Sequence, residues 1–350
     1  MSTKADELSD VVRNWIIPYT PGLLTEEELD QFFLEGYVVK HDLFTKEELQ
    51  PSITEIENLV DNLANLLFRA GKIKNVCKDS GFYDRLIRLE EQFPDASVLL
   101  HKTEVFPPAF CALNGHPKLL SIAKQIIGPE VGAHPVWNLR TKTPQKEETV
   151  VPWHQDAAYM SKDCWKDLQL TAWIPLIDAT TKNGCMQMVP GGHKSGKVIT
   201  HTGCPGETWY IEIPPGAAVK EVDIDMDKHA VTCEMKMGSV LLFNSLLPHR
   251  SVPNTSTDTR WSLDLRLCNP KLPTGVFGMK ESLPLCTGGK DLSPDWEKWA
   301  NLGRTSLQNE YVSSGASSEN DELDPTICGP WMYQWEITHH NRHTAKLSVK

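Results

Sequence analysis

One short run of the sequence contains residue types that bind divalent metals. His154 and Asp156 stand two residues apart in the run Trp153-His154-Gln155-Asp156. On an extended strand, side chains two residues apart project to the same side, so the imidazole and the carboxylate can contact one metal ion while Gln155 points away. The spacing alone is weak evidence, because a chain with 12 histidines and 46 acidic residues contains such pairs by chance. The alternative is a surface or capping His–Asp pair.

A second cluster strengthens the metal hypothesis. His249 lies in the run Pro248-His249-Arg250-Ser251, and Arg260 follows it. Two histidines and one carboxylate on one face of a metal leave the opposite positions open, which is how non-haem Fe(II) oxygenases admit substrate and oxygen. The sequence therefore predicts a metal site built from His154, Asp156 and His249.

The run from residue 260 to residue 267 has two chemically different faces. One face carries Arg260, Ser262, Asp264 and Arg266, and the other carries Trp261, Leu263, Leu265 and Leu267. A polar face opposite a fully apolar one predicts a strand whose apolar side packs and whose polar side lines a wet cavity. A surface position for Arg260 is the alternative, and the apolar opposite face disfavours it.

Together these motifs resemble the phytanoyl-CoA dioxygenase family of iron(II)- and 2-oxoglutarate-dependent oxygenases. The family pattern is an H-x-D pair, a distal histidine in a P-H-x-S-type turn, and an arginine eleven residues after that histidine. This chain has the pattern, in the same order and spacing, as His154, Asp156, His249, Ser251 and Arg260. The resemblance runs from about residue 29 to residue 275 and includes the runs NGCMQMVPGGHKSG, LTAWIPLID and RWSLDLRL.

The resemblance implies a mainly β fold with flanking helices, built on a double-stranded β-helix, the jelly roll of cupin-like proteins. It also implies Fe(II), 2-oxoglutarate as cosubstrate, and O2. The cosubstrate would chelate the iron through its 1-carboxylate and 2-oxo groups, and its far carboxylate would meet Arg260, helped by the Ser251 hydroxyl. Trp173, Leu139 and Lys102 match family positions beside the cosubstrate. Core packing is the alternative for Trp173 and Leu139, and a surface position is the alternative for Lys102.

The implied reaction is oxidative decarboxylation of 2-oxoglutarate to succinate and CO2, coupled to hydroxylation of an unactivated C–H bond of a small molecule. Because Asp156 is present, hydroxylation is favoured over halogenation, for which related enzymes lose the carboxylate ligand. One alternative is a catalytically silent small-molecule-binding protein of the same fold. Another is a cupin-like metalloenzyme without 2-oxoglutarate, which would leave Arg260 and Ser251 without a role. Neither the substrate nor the oligomeric state is predicted by the sequence.

Composition excludes several other classes of protein. The 350 residues include 35 Lys plus Arg against 46 Asp plus Glu, and no basic cluster, which argues against nucleic acid, a membrane surface or the phosphates of an acyl-CoA as partners. No apolar run approaches the roughly 18 residues of a membrane span, and residues 1–10 are too acidic for a secretory signal. Nine scattered cysteines without a C-x-x-C pair predict reduced thiols in a cytoplasmic protein.

The elements that must position the site change in type along the chain. Residues 1–130 are predicted to be mainly helical, with capping boxes at Thr25/Glu28 and Thr45/Glu48, a kink or restart at Pro51, and a later helix beginning at Pro117. From about residue 131 to 270, short β-rich runs without intervening helices favour a sandwich, barrel or jelly roll. The predicted strands are 136–141, 168–177, 185–189, 231–235, 240–243 and 261–267.

We expect one dioxygenase domain over residues 1–350, ending in an extension from residue 271 to residue 350. Residues 200–230 are rich in Gly, Pro and acidic residues and are predicted to form a lid or binding loop. The extension holds four of the eleven tryptophans, at positions 296, 299, 331 and 335. Loops on a rigid β scaffold usually determine specificity, so we expect these two regions to form the mouth of the pocket.

Overall fold

A computed structural model describes residues 5–103, 105–276, 281–301 and 323–347. In these ranges the α-helices are α1 (Asp10–Arg13), α2 (Glu26–Glu35), α3 (Lys46–Arg69), α4 (Arg85–Glu90), α5 (Ala96–His101), α6 (Pro108–Asn114), α7 (Pro117–Ile127), α8 (Ala217–Val222), α9 (Met226–His229) and α10 (Trp296–Ala300). The strands are β1 (Tyr37–Lys40), β2 (Val131–Ala133), β3 (Asn138–Lys142), β4 (Gln169–Pro175), β5 (Met186–Met188), β6 (Thr202–Gly203), β7 (Ile211–Glu212), β8 (Val231–Cys233), β9 (Val240–Asn244), β10 (His249–Ser251), β11 (Arg260–Cys268), β12 (Leu283–Thr287), β13 (Lys290–Asp291) and β14 (Glu336–Ile337).

Local sequence signals set the helix ends. Both predicted capping boxes are present, at the starts of α2 and α3, where each threonine hydroxyl accepts a backbone N–H and the glutamate accepts one in return. The predicted restart of the helix at Pro51 is wrong, because α3 continues through this residue, and a kink at Pro51 stays a prediction. Pro51 has no N–H to donate to the Glu47 carbonyl in the first turn of α3. Both residues are exposed, so water can donate to this carbonyl instead.

All six predicted strands are present, with ends shifted by a few residues, and they form two antiparallel sheets. The major sheet has the order β1-β9-β4-β11-β2-β12-β13, and β3 also pairs with β11. The minor sheet has the order β10-β5-β8. The N-terminal part is less purely helical than predicted, since β1 pairs with β9 at the edge of the major sheet. A third small sheet joins β14, β6 and β7.

Successive side chains of the central strands lie on opposite faces of the major sheet, and this alternation divides the interior into two layers. Leu263, Leu265 and Leu267 of β11 pack on the helices in one large hydrophobic cluster. From the other face of the major sheet, Trp173 and Phe243 pack against side chains of the minor sheet. This arrangement of two facing antiparallel sheets with helices outside is the predicted double-stranded β-helix, a jelly roll, and the confirmed alternation of β11 places its polar face inside the barrel.

Two further findings concern the whole described chain. All nine cysteines are free thiols, and seven of them are buried. None of the helices in the described ranges combines the length and apolar character that crossing a membrane requires.

Candidate active site

The three predicted metal ligands converge between the two sheets. His249 begins β10, and its backbone forms a two-hydrogen-bond bridge with His154, with N–O distances of 2.9 and 3.0 Å. Asp156 does not continue an extended strand as predicted but starts a short 3-10 turn, Asp156–Tyr159. The chain turns there because the Ala157 N–H donates to the Ser245 carbonyl instead of continuing the His249 bridge. The carboxylate still meets both imidazoles.

The donor atoms lie at separations that suit one ion. His154 Nε2 is 3.6 Å from Asp156 Oδ1, and His249 Nε2 is 3.8 Å from the same oxygen. Two donors bound to one ion at about 2.0–2.2 Å each can lie up to about 4.4 Å apart. All three side chains are buried, and they are the metal-ligand cluster that the described residues contain.

Hydrogen bonds behind the imidazoles fix which nitrogen faces the centre. His154 Nδ1 lies 2.8 Å from the Pro152 carbonyl, and His249 Nδ1 lies 2.9 Å from the Leu247 carbonyl. A carbonyl accepts only from N–H, so each Nδ1 carries the proton and each Nε2 presents a lone pair. Burial, with His154 alongside, lowers the pKa of His249 to about 3, so this ring is neutral at physiological pH.

The Asp156 carboxylate is held by two residues that sequence reasoning did not assign to the site. Its Oδ2 accepts from Thr171 Oγ1 at 2.9 Å and from Arg266 at 3.0 and 3.2 Å, which leaves Oδ1 for a metal. Burial by itself would raise the pKa of Asp156, but Arg266 and the two histidines outweigh it and hold that pKa well below its ordinary value. The available signal was the polar face of β11, which includes Arg266.

Gln155 points away from the centre, as the sequence predicted, and connects the ligand segment to two loops. Its amide nitrogen donates to the carbonyls of Lys197 and Leu246, at 3.0 and 2.6 Å. Its amide oxygen accepts from the Ile199 N–H at 2.8 Å. The residue between the two ligands therefore holds them in place from behind.

Arg260 lies on the cavity face of β11 and is 2% exposed. Its guanidinium stacks over the Trp173 ring at 5.3 Å and donates to the Ser262 hydroxyl. Burial lowers the pKa of Arg260 to about 10, so it stays charged at neutral pH. Asp264, the carboxylate on the same face, forms its ion pair with Arg140 instead. A buried guanidinium of this kind suits an incoming carboxylate.

Ser251 lies beside this guanidinium on the cavity wall. Its Oγ accepts from the Val151 N–H at 3.2 Å, so the hydroxyl proton is left to donate to a ligand. The cavity between the sheets is partly open to solvent and is lined by the three ligands, Trp173, Ser251 and Arg260. The structure thus brings six of the eight predicted site residues together.

The other two predicted residues, Lys102 and Leu139, do not line the cavity. The Lys102 ammonium lies 2.5 Å from the Asp324 carbonyl, at the end of α5. Leu139 faces the helices from β3 and is 1% exposed in the large hydrophobic cluster. Strand alternation explains the second case, because Arg140 and Lys142 are the β3 residues that face inward.

Lys142 is a cation at the site that sequence reasoning missed. It pairs across the sheet with Arg260 in the register of β3 and β11, and its ammonium donates to the Val252 carbonyl at 2.8 Å. Burial, with Arg260 and Arg140 nearby, lowers the pKa of Lys142 well below its ordinary value. A buried guanidinium beside a buried amine, neither of them paired with a carboxylate among the described residues, favours the binding of an anion, which would also favour protonation of the amine.

Only part of the two regions predicted to form the mouth of the pocket lines the cavity or the compartment next to it. Residues 200–230 fold into β6, β7, α8 and α9, and their Trp209 and Tyr210 line the cavity. From the C-terminal extension, Trp331 lines an adjoining compartment, with its indole 3.4 Å from the Trp209 carbonyl. The expectation for Trp296 and Trp299 was wrong, since both pack against Phe106 on the helical side.

Trp335 contacts the site from outside the cavity. Its indole N–H donates to the Ala158 carbonyl at 2.9 Å, in the turn that begins with Asp156. Its ring stacks on Trp165 at 6.0 Å. The extension therefore supports the ligand turn as well as the cavity wall. Its residues 277–280, 302–322 and 348–350 lie outside the described ranges.

Comparison with known proteins places this fold and site among relatives. A family model described as Phytanoyl-CoA dioxygenase (PhyH) matches residues 32–262. A 1-deoxypentalenic acid 11-beta-hydroxylase of Streptomyces arenae is 27% identical over 259 residues, covering 71% of this chain and 83% of that protein. A Phytanoyl-CoA dioxygenase of Arabidopsis thaliana is 26% identical over 266 residues, covering 70% and 89%. The structure of the non-heme monooxygenase ThoJ, apo form, aligns with a TM-score of 0.53 at 18% identity, covering 81% and 98%.

A double-stranded β-helix with two histidines and one carboxylate open to an enclosed cavity defines the class of non-haem iron oxygenases. Within that class, the chain belongs to the phytanoyl-CoA dioxygenase family. The prediction of an enzyme that uses Fe(II) and 2-oxoglutarate is confirmed. What the residues of this chain do for a particular substrate is a separate question.

Proposed function

We propose that the protein hydroxylates an unactivated C–H bond of a free small molecule in the cytoplasm, and releases succinate and CO2. The observation that carries this proposal is the buried Arg260 beside three metal-binding side chains whose other face is open to the same cavity. Iron and 2-oxoglutarate, when bound, supply with O2 the oxidant that removes hydrogen from carbon and returns hydroxyl.

The residues of the chain have distinct tasks in this proposal. His154, Asp156 and His249 hold the metal, and Thr171 with Arg266 orients the carboxylate. Arg260 and Ser251, with Trp173 behind the guanidinium, bind the far carboxylate of the cosubstrate. Lys142, and not Lys102, is the lysine of the cavity lining, across the strand register from Arg260. The aromatic mouth excludes water from the site.

Two relatives support a small-molecule substrate, and the cavity favours one without CoA. The Streptomyces arenae relative is named as a hydroxylase of 1-deoxypentalenic acid, and the Arabidopsis thaliana relative is named for phytanoyl-CoA. Recognition of CoA needs cations for its phosphates. At the cavity rim, Arg342 and Lys146 are already paired with Glu148, so they are engaged in ion pairs within the protein.

Succinate production tests the proposal. Purified protein with Fe(II), 2-oxoglutarate and O2 should form succinate, and the rate should rise when extracts containing the substrate are added. A protein that binds 2-oxoglutarate but forms no succinate under any of these conditions would be the silent binding protein. Oxidation of a substrate at the same rate without 2-oxoglutarate would identify the cupin-like alternative.

We expect Trp209→Ala to change substrate use while sparing the cosubstrate. Trp209 lines the cavity and lies 4.7 Å from Tyr210 between ring centroids, and among the described residues no hydrogen bond or cation–π contact joins Trp209 to Arg260 or Ser251. The variant should bind 2-oxoglutarate within about twofold of wild type, whereas substrate-stimulated succinate formation should fall about tenfold, as expected for the loss of a buried aromatic contact. Weaker 2-oxoglutarate binding in a folded variant would show that the mouth is part of the cosubstrate site.

A further inference from the structure

The compartment next to the metal ligands contains a guanidinium to which we have assigned no role in binding the metal or the cosubstrate. Arg140 projects inward from β3 and lines both the central cavity and the adjoining compartment. Its Nε donates to Asp264 Oδ2 at 2.7 Å. That ion pair uses Nε, whereas the two terminal nitrogens carry the other four of the five N–H groups, and the Arg140 side chain is 18% exposed.

Hydroxyl groups accompany this guanidinium. Arg140 lies close enough to the phenols of Tyr159 and Tyr210 to lower their pKa values, against the larger effect of burial. The Tyr159 oxygen already accepts from the Ile211 N–H at 3.1 Å, so its own proton is left to donate. A guanidinium with phenolic donors nearby is a set of groups that binds a carboxylate.

The charges of the cavity lining also favour an anionic ligand. Four cationic side chains line it, namely Arg140, Lys142, Arg260 and Arg266, and the carboxylates among them are Asp156 and Asp264. The third acid of the lining, Glu148, is paired at the rim with Lys146 and Arg342, which are also paired with Glu90 and Asp95, so this rim network carries one net negative charge. A divalent metal and a dianionic cosubstrate cancel each other. With Lys142 protonated, the cavity and its rim therefore keep one positive charge in excess, which one bound carboxylate would balance.

Much of the rest of the compartment is apolar and aromatic, with His101 and Asn138 as further polar side chains of its lining. Its walls include Trp209, Trp331, Ile327, Met160 and Val276. Such walls bind the hydrocarbon body of a ligand, while a small number of placed polar groups fix its orientation. Arg140 lies at the boundary between these walls and the central cavity, so it can set the distance between one end of a ligand and the metal ligands.

We propose that the substrate is an apolar molecule carrying one carboxylate, and that Arg140 binds this carboxylate and thereby orients the C–H bond to be oxidised. The inference rests on the proposed function, since it names the substrate class of the same site. A substrate anchored through an alcohol or amine on Asp264 is the competing possibility. It is disfavoured because Asp264 Oδ2 is engaged by Arg140 and because the Asp264 side chain is 8% exposed, against 18% for Arg140.

The test uses anaerobic protein loaded with Fe(II) and saturating 2-oxoglutarate, titrated calorimetrically with octanoate, 1-octanol and octylamine as probes. Octanoate should bind at least about tenfold more tightly than the other two, because a charge-assisted contact is at stake. The charge-transfer absorption of the Fe(II)–2-oxoglutarate complex should persist throughout. Its loss would show octanoate in the cosubstrate site and would overturn the proposal, as would equal binding of acid and alcohol. Preference for octylamine would assign the anchor to Asp264.

Arg140→Gln should weaken octanoate binding about 10- to 100-fold, leave 1-octanol binding unchanged, and leave 2-oxoglutarate affinity within about twofold. Because that change leaves Asp264 without its cation, the double variant Arg140→Gln/Asp264→Asn provides a neutral pair and should behave in the same way. Arg88→Gln is the matched control, since Arg88 is exposed on α4 and pairs with Glu91. Retained preference for octanoate in the folded double variant would remove Arg140 from the site.

The two proposals fail in different ways. If the protein forms no succinate with any substrate, yet still prefers octanoate through Arg140, the oxygenase function fails and the carboxylate site stands. If succinate formation is stimulated only by molecules that lack a carboxylate, the function stands and the inference about Arg140 is wrong.

Discussion

His249→Ala protein should form succinate from 2-oxoglutarate at a rate about 1,000-fold or more below that of wild type. Removing one of three ligands leaves a bidentate site that does not retain Fe(II), and the metal contributes several kcal/mol of barrier lowering, at about 1.4 kcal/mol per factor of ten. The fold should survive, because the backbone bridge between residues 154 and 249 does not use the imidazole. Iron content and melting temperature, measured on the same sample, check both parts of this expectation.

The matched control is His229→Ala, which removes an exposed histidine that ends α9. It should retain iron and activity. His154→Ala should behave like His249→Ala, whereas Asp156→Ala should also lower the melting temperature, because it leaves the buried Arg266 without its carboxylate. Wild-type iron content in either histidine variant would contradict the assignment of the ligands.

Arg260→Lys should bind 2-oxoglutarate about 10- to 100-fold more weakly than wild type while binding iron equally well. The substitution keeps one positive charge but removes the planar fork that pairs with both oxygens of a carboxylate, and the lost charge-assisted contact is worth about 1.5–3 kcal/mol. It also removes the stacking on Trp173. Titrating 2-oxoglutarate into anaerobic Fe(II) protein, with the metal-to-ligand charge-transfer band as the signal, measures this affinity directly.

Arg88→Lys serves as the control for this experiment, because it makes the same exchange in an exposed ion pair on α4. It should titrate like wild type. If Arg260→Lys also titrated like wild type, the far carboxylate would be bound by other groups, with Lys142 as the first candidate because it lies directly across the strand register. If Arg260→Lys lost iron as well, its effect would be on the fold of the site.

The parts of the site that could be predicted from sequence are those that depend on local patterns. The two-residue spacing of His154 and Asp156 places both side chains on one side even though the chain turns at Asp156. The alternation in β11 identifies its cavity face, and with it Arg260, from one run of residues. The run Pro248-His249-Arg250-Ser251 and the family pattern identify His249, although no local rule connects it to the other two ligands.

The parts that could not be predicted depend on register between distant strands. Arg266 meets Asp156 across 110 positions of sequence, and Lys142 meets Arg260 only through the pairing of β3 with β11. A shift of one residue reverses which side chains face inward. The family resemblance places Leu139 beside the cosubstrate, but in the register of β3 it is Arg140 and Lys142 that face inward, and Leu139 packs in the hydrophobic cluster. Tryptophan content likewise does not distinguish the cavity wall at Trp331 from the helical core at Trp299.

The hydrogen bonds that position the three metal ligands have a consequence for which ion the protein acquires. With both imidazoles held by carbonyls and the carboxylate held by Thr171 and Arg266, the donor set is ordered before any metal arrives. Such a rigid nitrogen and oxygen site binds Co(II), Ni(II) and Zn(II) more tightly than Fe(II), following the general order of divalent affinities. Selection of iron therefore depends on the supply of free ions around the folding chain, and misloading with a redox-inert ion is a route to inactive enzyme with an intact structure.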